Sequence, residues 1–212
     1  LKKSKIFQGL DGQELEKVCD IVMPSEKAYT KNEIILNQGE PVYKIGILKK
    51  GSAISVKYHY DGNAQILRIY NQGEVFSLDA VNTSLSTSPS TLISQTDCEV
   101  VFIQYSKLLD SESVSEGAKR QIMSNTGEIL SNELIRLTYK IDVLSKRTLR
   151  ERIMTYLSLI RERSESSTFD IGMNQEQFAQ YLCANRSVLS SEMNKMRKSG
   201  LIDYKGSRFT VY

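Results

Sequence analysis

Between Asn185 and Lys198 the chain reads NRSVLSSEMNKMRK, and its side chains come in an order that suits one kind of chemistry. Leu189, Met193 and Met196 recur at helical spacing and make an apolar stripe. Arg186, Ser187, Ser190, Ser191, Asn194, Lys195, Arg197 and Lys198 are left for solvent, with short hydrogen-bonding groups near the start and cations toward the end. A helix that reads duplex DNA is laid out in this way, because residues near its N-terminus meet base edges and distal cations meet phosphates. Arg186 carries the fork that matches guanine O6 and N7. Ser187, Ser190 and Ser191 are candidates for neighbouring base or phosphate contacts, with Asn185 a competent N-cap at the same end. Lys195, Lys198 and Arg208 are candidates for holding the DNA backbone. An ordinary amphipathic helix with solvated charges shares this pattern. An Arg186–Glu192 ion pair is the competing use of Arg186, and six residues do not bring two side chains onto one helical face.

Other chemistry finds little support. The chain has one histidine, His59, set between Tyr58 and Tyr60 in an alternating strand. It is expected to be a partly exposed strand residue rather than a haem ligand. Cys19, Cys98 and Cys183 are far apart with no CxxC pair, which argues against a disulfide framework, a zinc site or an iron–sulfur cluster. They are expected to be small buried hydrophobes. No nucleophile–base constellation, metal spacing or phosphate-cradling glycine loop is visible, so the chain is not expected to be an enzyme or to hold a metal or cofactor.

The candidate reading helix needs elements to hold it. Asn174 with Gln177 is a capping-box pattern that starts a preceding helix bearing Phe178, Tyr181 and Leu182 on one face. Ala179 is small where two helices cross, Cys183-Ala184 makes the turn, and Gly200 stops the second helix. IDYKGSRFTVY then alternates around Lys205-Gly206 as a short hairpin. Upstream, Leu149 to Arg163 is an amphipathic helix with Ile153, Tyr156, Leu157 and Ile160 inward, and Phe169 to Ile171 is a short strand expected to pair with the hairpin.

Further upstream, Met123, Gly127, Leu130, Leu134, Leu137, Ile141 and Leu144 are spaced 4, 3, 4, 3, 4, 3, the rhythm of a coiled-coil seam. Such a helix either pairs with its copy in a homodimer or covers another part of its own chain, and different faces can serve both ends. Gly127 is small enough for a close approach on either side.

Asp11 to Met23 forms an amphipathic helix through Leu15, Val18, Cys19 and Val22. From Pro24 to about Tyr105 the texture is that of short strands, EIILN, YKIGILK, SAISVKYHY, AQILRIY, EVF, STLIS and CEVVFIQ, with Asp61-Gly62 the sharpest hairpin signal. At 212 residues two domains are affordable. Residues 1–145 hold 16 Lys/Arg against 18 Asp/Glu, whereas residues 146–212 hold 12 against 7. The cationic surplus lies with the candidate reading helix, as a footprint for phosphate requires. No apolar run is long enough to cross a membrane and no signal-like start is seen, so a soluble cytoplasmic protein is expected.

NRSVLSSEMNKMRKSGLI resembles the recognition helix of the cyclic-AMP receptor protein and fumarate–nitrate regulator (Crp/Fnr) superfamily, and the hairpin after it resembles that family's wing. The resemblance implies an α+β protein with an N-terminal β jelly-roll of the cyclic-nucleotide-binding type at 1–112. A long dimerisation helix at 113–145 and a winged helix–turn–helix at 146–212 would follow. It favours Ser187 and Ser191 as the inward pair on DNA. It also implies a transcription regulator that binds a palindromic operator as a homodimer, with RNA polymerase as a further candidate partner. The rival reading is a ligand-binding or interaction module whose helix–turn–helix does not act on DNA.

By the same resemblance, Gly73, Glu74, Phe76, Leu78, Ser88, Ser90, Thr91, Leu130 and Leu134 are candidates for an effector pocket. The sequence departs from cyclic-nucleotide binders there. Leu78 falls where a ribose carboxylate stands in the family, and Ser88-Pro89 falls where the phosphate-binding Arg and its hydroxyl partner stand. Without a guanidinium a cyclic phosphate loses its bidentate partner, so cyclic nucleotide binding is expected to be weak or absent. An apolar or aromatic effector, or none, remains open.

Overall fold

The computed structural model describes residues 4–81, 83–84 and 86–212. Leu85, in the stretch SLSTSPST (84–91) that carries Ser88-Pro89, lies outside them. The chain divides into two compact units, residues 1–63 with 67–134, and residues 135–212 with 64–66. The division falls inside the long helix rather than at its end.

The first unit is built on two four-stranded antiparallel sheets. Strands β1 (Ser25–Tyr29), β8 (Cys98–Ile103), β3 (Ile45–Lys50) and β6 (Val75–Phe76) form one in that order, and β2 (Ile34–Leu36), β7 (Thr91–Ser94), β4 (Ala53–Tyr58) and β5 (Ala64–Tyr70) the other. Side chains alternate across a strand, and the first sheet uses both of its faces. Cys98 and Val100 on β8 pack with Tyr29, Leu48, Phe76 and Leu92 in one cluster. Val101 and Ile103 pack with Ile45, Ile47 and the helices in another. A strand covered on both sides reads as a continuous apolar run, hence IGIL and CEVVFI. Gly46 is where β3 must lie bare, because a Cβ there would stand 1.9 Å from the Phe76 ring across the pair.

The helices on that sheet are α1 (Gly12–Val22), α3 (Ser106–Asp110) and the first half of α4 (Glu116–Ser145), with the short α2 (Leu78–Val81) after β6. Asp11 caps α1 by accepting from Glu14 N at 2.8 Å. Ala118, Ile122, Asn125 and Thr126 are the buried face of α4. The Asn125 amide donates to the Ile6 and Gln8 carbonyls at 3.1 and 2.8 Å, and Thr126 shares a 2.9 Å hydrogen bond with the Tyr105 hydroxyl.

The adjoining face of α4 carries the heptad residues. Met123, Leu134, Leu137 and Ile141 are 56, 66, 43 and 68 % exposed, with Leu130 and Leu144 half-buried. Gly127 also lies on the open side, and a Cβ on it would meet no atom within 4 Å. Its small size therefore serves no contact with the β sheets. Gly127→Ala is expected to raise stability by about 1 kcal/mol through helix propensity alone, seen as a higher urea midpoint with an unchanged slope.

The second unit contains α5 (Leu149–Ser164), β9 (Thr168–Asp170), α6 (Gln175–Tyr181), α7 (Arg186–Lys198), β10 (Ile202–Lys205) and β11 (Arg208–Val211). β11 lies between β10 and β9, all antiparallel. Thr148 and Asn174 each form a complete capping box, with Glu151 and Gln177. Ile153, Leu157, Phe178, Leu182, Leu189, Met193, Met196, Ile202 and Phe209 are buried.

Three details differ from the sequence reading. β1, whose SEKAY exposes its first four residues, was not among the expected strands; pairing with β8 makes it a strand. Cys98 is buried, but Cys183 is exposed on the turn at φ 53, its Sγ accepting from Gln65 Nε2 at 3.1 Å. His59 lies just beyond β4 and is exposed at the Asp61-Gly62 hairpin.

Candidate nucleic-acid interface

Helix α7 is held at a fixed angular phase. Its inner face is Leu189, Met193 and Met196, all wholly buried. Behind them Tyr156 meets Phe178 and Tyr181 at 5.3 and 4.9 Å between ring centroids, and Phe178 meets Phe209 edge-on at 5.8 Å. Burial raises the pKa of the Tyr156 and Tyr181 phenols, which keeps this cluster neutral. Arg152 donates to the Lys146 and Leu182 carbonyls, tying α5 to the end of α6.

At about 100° per residue, the direction opposite that apolar stripe falls on Ser187, Ser191, Asn194 and Lys198, all exposed. Ser190 is half-buried at the edge. Arg186, the first helical residue, lies nearer the flank and is exposed because the helix begins there. Asn185 caps the helix with its side-chain oxygen, 2.9 Å from Ser187 N. Glu192 pairs with Arg150 at 2.6 Å and Lys195 at 3.9 Å rather than with Arg186.

The wing hairpin of β10 and β11 braces the far end of the helix. The Tyr204 hydroxyl donates to Asn194 Oδ1 at 3.1 Å, and Arg197 pairs with Asp203 at 2.8 Å while lying over the Tyr204 ring. Arg197 is thus engaged inside its own unit. Arg186, Lys198, Lys205 and Arg208 are exposed and have no ion pair among the described residues, as is also true of Arg147, Arg161 and Arg163 elsewhere in the unit. The first four lie on α7 and the wing. Val188, 55 % exposed on α7, is an addition to the candidate residues. An apolar side chain out of phase with 189, 193 and 196 was the signal for it, and its chemistry fits a thymine methyl.

The candidate effector residues do not form one pocket. Phe76 belongs to the cluster of Tyr29, Leu48 and Leu92, whereas Leu78 belongs to the cluster of the helices, against which Leu130 packs. Leu134 is 66 % exposed and lines no interior. Alternation alone would put Phe76 and Leu78 on one side, but β6 ends at Phe76 and Ser77, at φ 66, turns the chain into α2, where Leu78 joins the cluster of Val75. Ser88, Ser90 and Thr91 are buried but satisfied locally: Ser55 and Ser90 hydroxyls lie 2.7 Å apart, Ser88 donates to the Ser90 carbonyl at 2.7 Å, and Thr91 accepts from Gln38 N at 3.2 Å. Glu74 beside Gly73 is already engaged. Arg68, 9 % exposed on the inward phase of β5, pairs with Glu74 at 2.5 Å and with Glu133 of α4, and its guanidinium lies over the Tyr70 ring.

A jelly-roll unit and a winged helix–turn–helix with an outward polar helix define a ligand-domain-plus-reader class of DNA-binding protein. Comparison with known proteins supplies the family. Residues 26–111 match the cyclic nucleotide-binding domain and residues 151–212 the Crp-like helix-turn-helix domain. Electron transport regulator A of Shewanella oneidensis is 25 % identical over 208 residues, 95 % of this chain and 80 % of that protein. The transcriptional activator protein anr of Pseudomonas aeruginosa is 23 % identical, over 91 % of this chain and 78 % of its own. Among solved structures, the c-di-GMP responsive global regulator CLP of Xanthomonas campestris superposes with a TM-score of 0.78 at 20 % identity, covering 95 % of this chain and 99 % of that one. This chain belongs to the Crp/Fnr family of transcription regulators.

Proposed function

We propose that this regulator acts as a homodimer, joined through the exposed heptad face of α4, on an imperfectly palindromic operator. Two copies then present α7 to successive major grooves, about 34 Å apart. Arg186, Ser187, Ser190 and Ser191 read bases from the helix start, with Asn185 fixing that start. Lys195, Lys198 and Arg208 hold phosphates. RNA polymerase is a proposed further partner, and the cytoplasm, where the DNA is, the proposed place of action. The observation that carries the reading is the pairing of an outward polar face on α7 with an open apolar seam on α4, since a narrow apolar stripe exposed along a helix has no use without a second helix.

The β domain, in this proposal, does not respond to cyclic nucleotides. Leu78 offers no carboxylate to a ribose, Glu74 is already paired with Arg68, and residues 88–91 offer no cation, with the Ser88 and Ser90 hydroxyls already paired. Isothermal titration with cyclic AMP is expected to give no heat of binding.

Duplex binding tests the main reading. Arg186→Ala is expected to weaken binding to a selected operator by about 1–3 kcal/mol while sparing nonspecific binding. Affinity should fall steeply with salt, since each neutralised phosphate releases counterions. A flat salt dependence overturns the DNA reading. An unchanged operator preference in Arg186→Ala removes Arg186 from the reading set.

A further inference from the structure

Asn185 does more than start the helix. Its Oδ1 accepts from Ser187 N at 2.9 Å and also lies 2.7 Å from Ser187 Oγ. A backbone N–H can only donate, so the Asn185 atom facing it is the carbonyl oxygen. That oxygen can only accept. The Ser187 hydroxyl must therefore be the donor in the second contact, and a serine has one proton to give. What Ser187 turns to solvent, from the centre of the outward face of α7, is a pair of lone pairs.

We infer that Ser187 is a specificity-determining residue of fixed polarity: it accepts, and does not donate, a hydrogen bond from the base it meets. The inference rests on the operator-binding reading above and deepens it. Serine is normally ambivalent toward bases because its hydroxyl rotates to suit either partner. Here the cap removes that freedom. In the major groove the only hydrogen-bond donors are the exocyclic amino groups, N6 of adenine and N4 of cytosine; guanine offers O6 and N7, and thymine O4 and a methyl. Each half-site therefore carries adenine or cytosine at the position facing Ser187. Asn185 is the positioning residue that sets this choice. Ser191, four residues on and on the same face, has no such partner among the described residues and keeps either polarity.

The test selects duplexes from a randomised pool with the full-length protein and sequences them. Wild type and Asn185→Asp, which keeps an acceptor at the cap, are expected to select adenine or cytosine at one shared position per half-site. Ser187→Ala loses the preference at that position alone. Asn185→Gly, which caps nearly as well without a side chain, frees the serine proton and admits guanine or thymine there. Base analogues then isolate the atom. Replacing the adenine by purine, or the cytosine by 2-pyrimidinone, removes the amino group and should weaken wild-type binding about five- to tenfold, with no change for Ser187→Ala. Replacing adenine by 7-deazaadenine should change neither.

Wild-type binding unchanged by removal of the amino group from the Ser187-dependent base pair, whichever strand carries it, overturns the inference, as does a Ser187→Ala profile identical to wild type, or loss of binding with 7-deazaadenine. Recovery of no preferred duplex by the wild type instead overturns the operator-binding reading itself, so the two failures are distinguishable.

Discussion

Replacing Leu134 and Ile141 together by glutamate is expected to leave a folded monomer whose apparent affinity for the full operator is lower by at least about a hundredfold. Both side chains are two-thirds exposed in the single chain, so the substitution removes nothing from either unit's core, and glutamate is a good helix former. In the proposed dimer the same positions would face each other, and four carboxylates would replace four apolar knobs. The affinity loss follows from valency. A second recognition helix tethered to the first binds at a high effective concentration, and a lone one does not. Light scattering should report half the mass, circular dichroism an unchanged helix content, and fluorescence anisotropy the weaker binding. A double variant that stays dimeric and binds as before would remove α4 from the assembly.

The second large effect is expected at Arg68. Arg68→Met keeps the length of the side chain but leaves Glu74 and Glu133 facing each other with the guanidinium gone. Removing one member of a buried ion cluster costs about 3–5 kcal/mol when the remaining charge is fully enclosed. Glu74 and Glu133 are 33 and 25 % exposed, so water relieves part of this and about 2–3 kcal/mol is expected. Glu133→Gln, which keeps a hydrogen-bond acceptor on α4, should cost less. Urea denaturation of the three proteins at pH 7 gives the comparison. A deficit below about 1 kcal/mol would mean that the cluster is solvated and holds nothing in place.

The parts that could be read in the sequence are those where one local rule decides. Asn174 with Gln177, the alternation around Gly206 and the run from Asn185 to Gly200 each state their structure within one turn or one hairpin, and α6, α7 and the wing follow them. The heptad from Met123 marked a narrow apolar stripe that is visible without knowing its neighbours, and Met123, Leu134, Leu137 and Ile141 of it are exposed along α4. The parts that were missed depend on partners distant along the chain. SEKAY becomes β1 only because Phe102 to Cys98 lies beside it. The effector residues were grouped by position relative to Gly73-Glu74, yet Phe76 and Leu78 fall on opposite sides of a sheet covered on both faces. Arg68 left a signal that went unused: in AQILRIY it shares the phase of Ile66, which is the inward one. A charge on that phase implies a buried countercharge, and finding Glu133 required the fold.

The exposed turn between α6 and α7 has a practical consequence. Cys98 is enclosed and Cys19 half-covered, so Cys183 is the natural attachment point for a thiol-reactive fluorophore. A dye there stands two residues ahead of the cap, close to where the groove floor arrives. Wild-type protein, with no engineered cysteine, can thus report docking onto an operator in real time through quenching of its own label.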